Sequence, residues 1–315
     1  MPLTNTDLQY YDSKVLRLSA EKRKEYHGQV DNLVTELRKH VTARSDLKIS
    51  KVVKAGSFAK HTILNKTQED PIDVDVVFYI NDQSLDTSTR DGLSELIHSL
   101  LIKIYPSKAV EDFEIQRRAA KVTFVKSGLS VDVVPVVQDG NNPDHGWQFD
   151  KETKEKNLTC APCHIQFIRD RKDKDKHYRT LVRMAKRWKN FANPPGLKSF
   201  HIELILAYLV DRDGPAESIE KRFREFLGYI AQTELNERID FPENNGKLKK
   251  AFTDPVVIVD PANHENNVAS RITTDEKMKI AKAALEAWET AFHASVQEDE
   301  EVWKEIFGNR FKIKE

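Results

Sequence analysis

Three aspartates in two apolar segments are the residues whose types and spacing could do chemistry. Asp73 and Asp75 lie in residues 72–80, which are otherwise β-branched or aromatic, and Asp132 lies in the similar run 128–137. Both runs are predicted to be β-strands. A buried charge without a partner is costly, so the three carboxylates need a cation. Carboxylate oxygens on two neighbouring strands are suited to divalent ions such as Mg²⁺.

A Gly-Ser turn precedes the first of these strands and adds a phosphate-binding element. Gly56 and Ser57 end a short alternating strand predicted over residues 47–54, and backbone N–H groups at the helix start that follows can hold an anion. Asp-x-Asp also occurs in glycosidases and in structural calcium sites, but the turn and the third carboxylate favour phosphate chemistry. The chain has no Gly-rich lysine loop of the P-loop type.

The combination predicts nucleotidyl transfer from a nucleoside triphosphate with release of pyrophosphate. In this scheme Asp73 and Asp75 hold two ions, Mg²⁺ or Mn²⁺, and Asp132 holds the one that lowers the pKa of the acceptor hydroxyl. Asp132 is also the candidate acceptor of that proton. The amides of Gly56 and Ser57 would steady the β- and γ-phosphates.

Alternating strands and helices are expected to position these residues. Apolar residues at helical spacing predict a long amphipathic helix over residues 13–40 and another helix over 88–104. Residues 119–125 and 129–137 are predicted to form a hairpin. The remaining segments of this half are polar and are expected to be connections at 65–71 and 81–89 and an exposed loop at 139–159.

The second half of the chain is predicted to be helical. Its expected helices are near residues 164–171, 175–192, 199–211, 216–235, 274–293 and 299–307. Residues 260–268 are expected to be a polar turn. The order of elements therefore predicts an α/β (α+β) fold class, with strands and helices in the first half, helices in the second half and a boundary near residue 160.

Three cations on the helix predicted over 175–192 share one face. Arg179, Arg183 and Lys186 are spaced four and three residues apart. That face could meet phosphates, or it could be a solvated charged surface. The pattern alone does not decide between the two.

Composition limits the classes of function. The 315 residues carry 50 Lys plus Arg and 50 Asp plus Glu, so the formal net charge is zero. Bulk charge therefore does not indicate a nucleic acid or a membrane surface as a partner, and any polyphosphate site must be local. The N-terminus is polar and no apolar run reaches the length of a membrane span, so we expect a cytoplasmic protein.

The two cysteines of the chain lie close together. Cys160 and Cys163 form Cys-Ala-Pro-Cys-His164, which has the spacing of a haem c attachment site and of half a zinc site. Haem attachment requires an exported protein and zinc requires further ligands. Neither condition is visible in the sequence, so we expect neither group.

The residues described so far resemble the signature of a known superfamily. Gly56-Ser57, Asp73-x-Asp75 and Asp132 are similar to the nucleotidyltransferase signature of the DNA polymerase β-like superfamily. Over nearly its whole length the chain resembles the bacterial cyclic-oligonucleotide synthases (CD-NTases) of CBASS anti-phage defence, relatives of cyclic GMP-AMP synthase and oligoadenylate synthase. Within that family it resembles the clade that makes cyclic trinucleotides. The resemblance implies two lobes: a catalytic lobe of residues 1–160 with a mixed, mostly antiparallel sheet, and a helical lobe of residues 161–315 that closes the nucleotide cleft. The other matching segments are Val182-Arg183-Met184-Ala185-Lys186-Arg187-Trp188, Lys198-Ser199-Phe200-His201-Ile202-Glu203-Leu204 and Asp260-Pro261 with Asn266-Asn267-Val268.

The resemblance implies further nucleotide-binding residues. Lys186 falls where the family has a lysine that touches the donor triphosphate, Ser199 where a serine binds the same phosphates, and Phe200 where an aromatic ring stacks on the base. Read from the residues alone, Ser199 could instead cap a helix and Phe200 could be core. Residues 260–268 resemble a segment that packs beside the cleft in oligoadenylate synthases.

The function implied by the resemblance is synthesis of a cyclic oligonucleotide second messenger from ATP, adenine-rich and such as cyclic tri-AMP. It also implies a HORMA-domain activator with an AAA+ ATPase regulator, and a nuclease effector that reads the product. A linear 2′-5′ oligoadenylate synthase and an RNA terminal nucleotidyltransferase are the nearest alternatives. A third is a nucleotide-binding pseudo-enzyme that acts as a scaffold, which would have no need of all three aspartates.

Overall fold

The computed structural model of the protein describes residues 3–65, 72–81, 85, 90, 92–297 and 300–314. Contacts divide the chain into two compact units. The sheet unit is Leu18–Ile165, and the helical unit is Met1–Arg17 together with Gln166–Glu315. The boundary between the two expected functional lobes, residues 1–160 and 161–315, stays a prediction. The contacts group the first 17 residues with the helical unit.

Helices and strands are numbered along the chain. The helices are α1 (Asn5–Tyr11), α2 (Ala20–Arg44), α3 (Gly56–Ala59), α4 (Leu93–Ile104), α5 (Ala161–Lys174), α6 (Tyr178–Ala192), α7 (Ser199–Asp213), α8 (Ile219–Thr233), α9 (Thr274–Gln297) and α10 (Glu300–Phe307). The strands are β1 (Ile49–Lys54), β2 (Ile72–Ile80), β3 (Phe113–Ile115), β4 (Ala120–Phe124), β5 (Leu129–Gln138), β6 (Gly146–Phe149), β7 (Lys156–Thr159), β8 (Val259–Asp260) and β9 (Asn263–Asn267).

A seven-stranded sheet organises the sheet unit. Its order is β1-β2-β5-β4-β3, with β6 pairing β5 and β7. The central pair β2 and β5 runs parallel, and the other pairs among the described residues run antiparallel. The structure therefore confirms the predicted mixed, mostly antiparallel sheet and the predicted β4–β5 hairpin.

Apolar side chains of α2 and α4 pack on one face of this sheet. The buried residues of α2 recur at helical spacing and are Tyr26, Val30, Leu33, Leu37 and Val41. The same core receives Val74 and Val76 from β2 and Val131 and Val133 from β5. Full burial of one such side chain contributes about 1.5–3 kcal/mol. The alternation of the strands leaves the opposite face to the aspartates.

The first predicted helix begins later than expected. α2 starts at Ala20, and Ser19 caps it by accepting a hydrogen bond from the backbone N–H of Lys22 at 3.2 Å. Asp12–Leu16 form a π-helical turn of the helical unit instead. A long-range ion pair holds this turn in place, because the fully buried Asp12 accepts a hydrogen bond from Arg183 Nη2 at 2.7 Å.

The predicted exposed loop over residues 139–159 is wrong in its second part. β6 and β7 pair antiparallel there, and β6 joins β5 through Val137 and Trp147. Trp147 and Phe149 are partly buried against the main core. Strands of four residues are too short to show a hydrophobic period, so composition alone predicted a loop.

The helical unit contains the helices predicted for the second half, with ends shifted by a few residues. Residues 260–268 were predicted to be a turn, but β8 and β9 pair as a short hairpin there. The predicted connections at 65–71 and 81–89 lie mostly outside the described residues. None of the helices in the described ranges combines the length and apolar composition needed to cross a membrane.

Candidate active site

Asp75 and Asp132 are direct neighbours on the two parallel strands at the centre of the sheet. In the β2–β5 register Asp75 pairs with Asp132, and Asp73 pairs with Ser130. Because side chains alternate along a strand, the three carboxylates share the face opposite the α2 core. The Asp73 side chain is 55% exposed and that of Asp132 is 16% exposed. The three predicted aspartates thus form one acidic surface that extends from solvent into the protein.

The Gly-Ser turn packs directly against Asp75. The backbone N–H of Ala55 donates to the backbone oxygen of Asp75 at 2.8 Å. Gly56 has a φ of +58°, and a Cβ atom built on it would lie 1.6 Å from Asp75 Oδ2. Both the backbone conformation and the close approach therefore require glycine. Ser57 follows in the first turn of α3 and is partly buried.

Lys121 of β4 is a cation at the acidic surface that was not predicted from the sequence. Its Nζ lies 3.0 Å from Asp73 Oδ1 and 3.7 Å from Asp132 Oδ1. The tight turn after Phe124 could have identified it, because pairing Phe124 with Leu129 places Lys121 opposite Asp132 three pairs further along the hairpin.

Burial raises the pKa of the Asp132 carboxyl to about 7. Lys121 lowers that pKa, whereas the neighbouring carboxylates of Asp75 and Asp73 raise it. The Oδ1 atom of Asp132 is buried and accepts no hydrogen bond from any described residue. Contacts within the protein therefore do not fully offset the cost of burying the ionised carboxylate. A carboxyl with this pKa can exchange a proton near neutral pH.

The donor set fits divalent cations. It offers carboxylate oxygens only, which are the ligands that Mg²⁺ and Mn²⁺ prefer. A cation bound there would give the buried Oδ1 atom of Asp132 a partner and would offset the repulsion among the three carboxylates. Asp73 and Asp132, which both pair with Lys121 in this structure, would hold such an ion together with Asp75.

In the helical unit, Lys186 of α6 is buried against Glu203 of α7. Their Nζ and Oε1 atoms are 2.6 Å apart, and each side chain is 3% exposed. Arg183 on the same helix is also buried, in its ion pair with Asp12. For these two cations the solvated-surface interpretation is therefore wrong, since both are held by carboxylates inside the unit.

Ser199 and Phe200 begin α7 and are partly buried. The residue at the N-cap position is Lys198, so Ser199 is the first helical residue and the capping interpretation is wrong. The backbone N–H of Lys198 donates to His201 Nδ1 at 3.2 Å. The start of α7 is thus fixed by a histidine side chain.

His201 also joins the start of α7 to the segment that follows β9. Because Nδ1 accepts from Lys198, Nε2 carries the ring proton and donates it to the backbone oxygen of Val268 at 3.1 Å. Burial lowers the pKa of His201 to about 4, so the ring is neutral at physiological pH. The Asn267 side chain in turn bonds Asp254 and the backbone around it. Residues 260–268 therefore support the helix start that carries Ser199 and Phe200.

The sequence matches known proteins along its length. The family of Second Messenger Oligonucleotide or Dinucleotide Synthetase domains matches residues 1–171. The chain is 53% identical to the CBASS oligonucleotide cyclase CdnC of Escherichia coli strain KTE188, over 100% of this chain and 99% of that protein. It is 31% identical to the cyclic AMP-AMP-AMP synthase of E. coli strain MS 115-1, over 98% of this chain and 97% of that protein.

Solved structures share the fold. The structure of E. coli MS115-1 CdnC with ATP has a TM-score of 0.83 and 30% identity, and the match covers 98% of this chain and 99% of that one. The CdnC:HORMA-deltaN complex has a TM-score of 0.81 and 29% identity, with 98% of each chain covered. These matches confirm the resemblance seen in the motifs, and members of the family generally use divalent metal ions. The chain belongs to the CD-NTase family, the nucleotidyltransferases that make cyclic oligonucleotide second messengers in CBASS antiviral defence.

Proposed function

We propose that the protein converts ATP into an adenine-rich cyclic trinucleotide, such as cyclic tri-AMP, and releases pyrophosphate. The observation that carries the proposal is the placement of Asp75 beside Asp132 with the Gly56 turn packed on Asp75. Two comparisons support adenine as the base: a similar protein of E. coli strain MS 115-1 is a cyclic AMP-AMP-AMP synthase, and the similar structure of E. coli MS115-1 CdnC contains ATP.

Asp73, Asp75 and Asp132 are proposed to hold divalent ions, two Mg²⁺ or Mn²⁺. When bound, such ions stabilise the charge of the triphosphate and lower the pKa of the acceptor hydroxyl. The raised pKa of Asp132 suits this residue to accept the hydroxyl proton. The missing side chain at Gly56 keeps the turn close to the carboxylates, so the amides of Gly56 and Ser57 are proposed to bind the phosphates beside them.

Lys186, Ser199 and Phe200 are proposed to bind the donor nucleotide. The ion pair with Glu203 fixes the position of the Lys186 ammonium, so a phosphate oxygen would meet a preoriented cation. The hydroxyl of Ser199 lies in the first turn of α7, where the helix dipole also favours phosphate. Phe200 would stack on the base.

Product analysis tests the proposal. The purified protein is incubated with each radiolabelled nucleoside triphosphate and Mg²⁺ or Mn²⁺, treated with phosphatase and analysed by mass. We expect a phosphatase-resistant product from ATP with the mass of cyclic tri-AMP. Asp75→Asn should abolish it while keeping the shape that contacts Gly56, and Asp46→Asn, in the turn before β1, should leave it unchanged.

The other outcomes decide against the proposal in different ways. A phosphatase-sensitive product would indicate a linear oligoadenylate synthase. A product extended on an added RNA end would indicate a terminal transferase. No product with either metal, all four triphosphates and an activating partner would favour the nucleotide-binding scaffold.

A HORMA-domain protein is proposed as the activating partner. The CdnC:HORMA-deltaN complex supports this, since that CdnC matches the chain over 98% of its length. Adding the HORMA protein should raise the rate of product formation and give a co-eluting complex in size-exclusion chromatography. A HORMA protein that neither co-elutes with the chain nor changes the rate would contradict the proposal.

A further inference from the structure

A second cluster of metal-ligating side chains lies in the sheet unit, away from the three aspartates in sequence. His145, Cys160 and Cys163 place one potential ligand atom each within 4.8 Å of one another. Cys160 immediately precedes α5 and Cys163 lies in its first turn, while His145 immediately precedes β6. The two cysteines form a disulfide in this structure. The histidine supplies the further ligand that the sequence alone did not reveal.

Tyr79 of β2 holds the two ligand-bearing segments together. Its hydroxyl donates to the backbone oxygen of Asp144 at 3.0 Å and accepts from the backbone N–H of Ala161 at 3.3 Å. Asp144 precedes His145, and Ala161 follows Cys160. Burial raises the pKa of Tyr79 to about 12, so its hydroxyl stays protonated and keeps both bonds. The approach of His145 to the cysteines is therefore built into the fold.

The backbone of His145 is fixed on both sides. Its N–H donates to the oxygen of Asn142 at 3.0 Å, and its oxygen accepts from the N–H of Asp139 at 3.0 Å. The next residue, Gly146, is so close to β5 that a Cβ atom there would lie 2.7 Å from Val136 Cγ2. The loop cannot move away from α5 without breaking these contacts, so the position of the imidazole is preorganised.

Cys160 and Cys163 also have the chemistry of a metal pair. Cys-x-x-Cys is a common ligand spacing in zinc sites, and Cys160 Sγ already accepts a hydrogen bond from the backbone N–H of Cys163 at 3.1 Å. The N-terminus of a helix stabilises a thiolate and lowers its pKa. Cys160 is fully buried and Cys163 is partly exposed, so Cys163 is the sulfur that an external thiol can reach.

We propose that Cys160, Cys163 and His145 bind one Zn²⁺ ion when the disulfide is reduced. A dithiol breaks the S–S bond, supplies two electrons and two protons, and is itself oxidised to a disulfide. The two thiols then lose their protons to solvent as Zn²⁺ binds two thiolates and the neutral imidazole. The fourth position of the tetrahedron is left to water, on the partly exposed side of the site. The oxidised form has no thiolate and takes no metal.

The sheet unit would therefore contain a cross-link that depends on the redox state of the two cysteines. In the oxidised protein the disulfide links two residues of one segment, and in the reduced protein the ion links that segment to the loop before β6. Metal binding should therefore stabilise the reduced protein against unfolding, because the ion binds the folded arrangement. This role is independent of the proposed cyclase chemistry.

Metal titration of the full chain tests the proposal. The protein is reduced with a dithiol, freed of the reductant under anaerobic conditions and titrated with Co²⁺ and then with Zn²⁺ against a chromophoric chelator. We expect the reduced protein to bind one ion per chain more than the disulfide form does, with a thiolate-to-Co²⁺ charge-transfer band and a larger rise in melting temperature on adding metal. The disulfide form should show no charge-transfer band and should lack the extra ion. Reduced protein that takes up no metal would overturn the proposal.

Variants identify the ligands. Loss of a supporting residue at a metal site weakens binding by about 10–100-fold, so losing a ligand through Cys163→Ser or His145→Gln should weaken it by more than about 100-fold. His164→Gln is the matched control, because His164 follows Cys163 in sequence but is not in the cluster, and it should bind as the wild type does. Wild-type affinity in His145→Gln would overturn the proposed ligand set. X-ray absorption of the zinc-loaded wild type should show two sulfur ligands and an imidazole whether or not the variants fold, and a spectrum without sulfur ligands would refute it.

Discussion

Asp132→Asn separates the effect of the ionised Asp132 carboxylate on the free energy of unfolding from the proposed role of this residue as a metal ligand. The pKa of Asp132 is raised from 3.8 to about 7. The ionised carboxylate therefore destabilises the folded protein: the penalty is absent below pH 4, where both states are protonated, and it is complete above pH 7. At about 1.4 kcal/mol per pH unit it amounts to about 1.6 kcal/mol at pH 5 and about 4 kcal/mol at pH 8.

Asparagine cannot ionise, so the variant escapes this penalty. Without divalent ions, Asp132→Asn is expected to be more stable than the wild type at pH 8, by up to about 4 kcal/mol, and the gain should shrink to less than half at pH 5. With saturating Mg²⁺ or Mn²⁺ the ionised wild type gains a partner for the carboxylate that the variant cannot use. The difference in stability between the variant and the wild type should then become smaller or change sign.

Thermal unfolding followed by circular dichroism gives the required comparison. The melting temperatures of wild type, Asp132→Asn and the control Asp46→Asn are measured at pH 5 and pH 8, in chelator and in Mg²⁺. The control should not reproduce the pH-dependent gain. If Asp132→Asn is less stable than wild type in chelator at pH 8, or if Mg²⁺ stabilises both proteins equally, the reasoning from burial and like charge is wrong.

Other substitutions and conditions address the same two parts of the protein. Gly56→Ala should destabilise the protein by more than about 1 kcal/mol and reduce product formation, because the methyl group would overlap Asp75 and the positive φ is strained; normal melting and activity would contradict this. Glu203→Gln should cost roughly 3–5 kcal/mol and raise the KM for ATP, because the buried Lys186 loses the charge of the carboxylate that it contacts at 2.6 Å. Adding Lys186→Met should restore stability in urea unfolding but not ATP binding, and recovery of both would exclude a donor role for the lysine. Mn²⁺ affinity, measured by electron paramagnetic resonance, should fall about tenfold from pH 8 to pH 6 as Asp132 is protonated; a flat profile would argue against Asp132 as a ligand.

The acidic surface could be predicted because its signal is local. An aspartate in a strand of β-branched residues conflicts with its neighbours, and the alternation of side chains assigns it to a face. The parallel pairing that places Asp75 beside Asp132 needed the tertiary structure, since α4, β3 and β4 lie between the two strands in the chain. The position of Lys121 also follows from a local signal, because the register of the predicted hairpin pairs it with Asp132.

The contacts of the helical unit could not be predicted from the sequence because they join residues that are far apart in the chain. Asp12 and Arg183 are 171 positions apart, and no periodicity connects them. Helical spacing placed Arg183 and Lys186 on one face but could not say that each would be buried against a carboxylate. Glu203 gave a usable signal, because a glutamate in the otherwise apolar middle of α7 must have a cation nearby.

The charges at the acidic surface connect cation binding to proton transfer. Counting the three aspartates and Lys121 alone, the formal charge is −2 when Asp132 is ionised and −1 when it is protonated. Burial, together with the like charges of Asp75 and Asp73, raises the pKa of Asp132 to about 7, so the protein without divalent ions keeps a proton on part of the Asp132 population at neutral pH. If Asp132 helps to hold a divalent ion, as proposed, this proton would be lost on ion binding, and the carboxylate could then accept a proton from an acceptor hydroxyl. Burial and like charge at Asp132 would therefore restrict the proposed base to the state in which a triphosphate can be held.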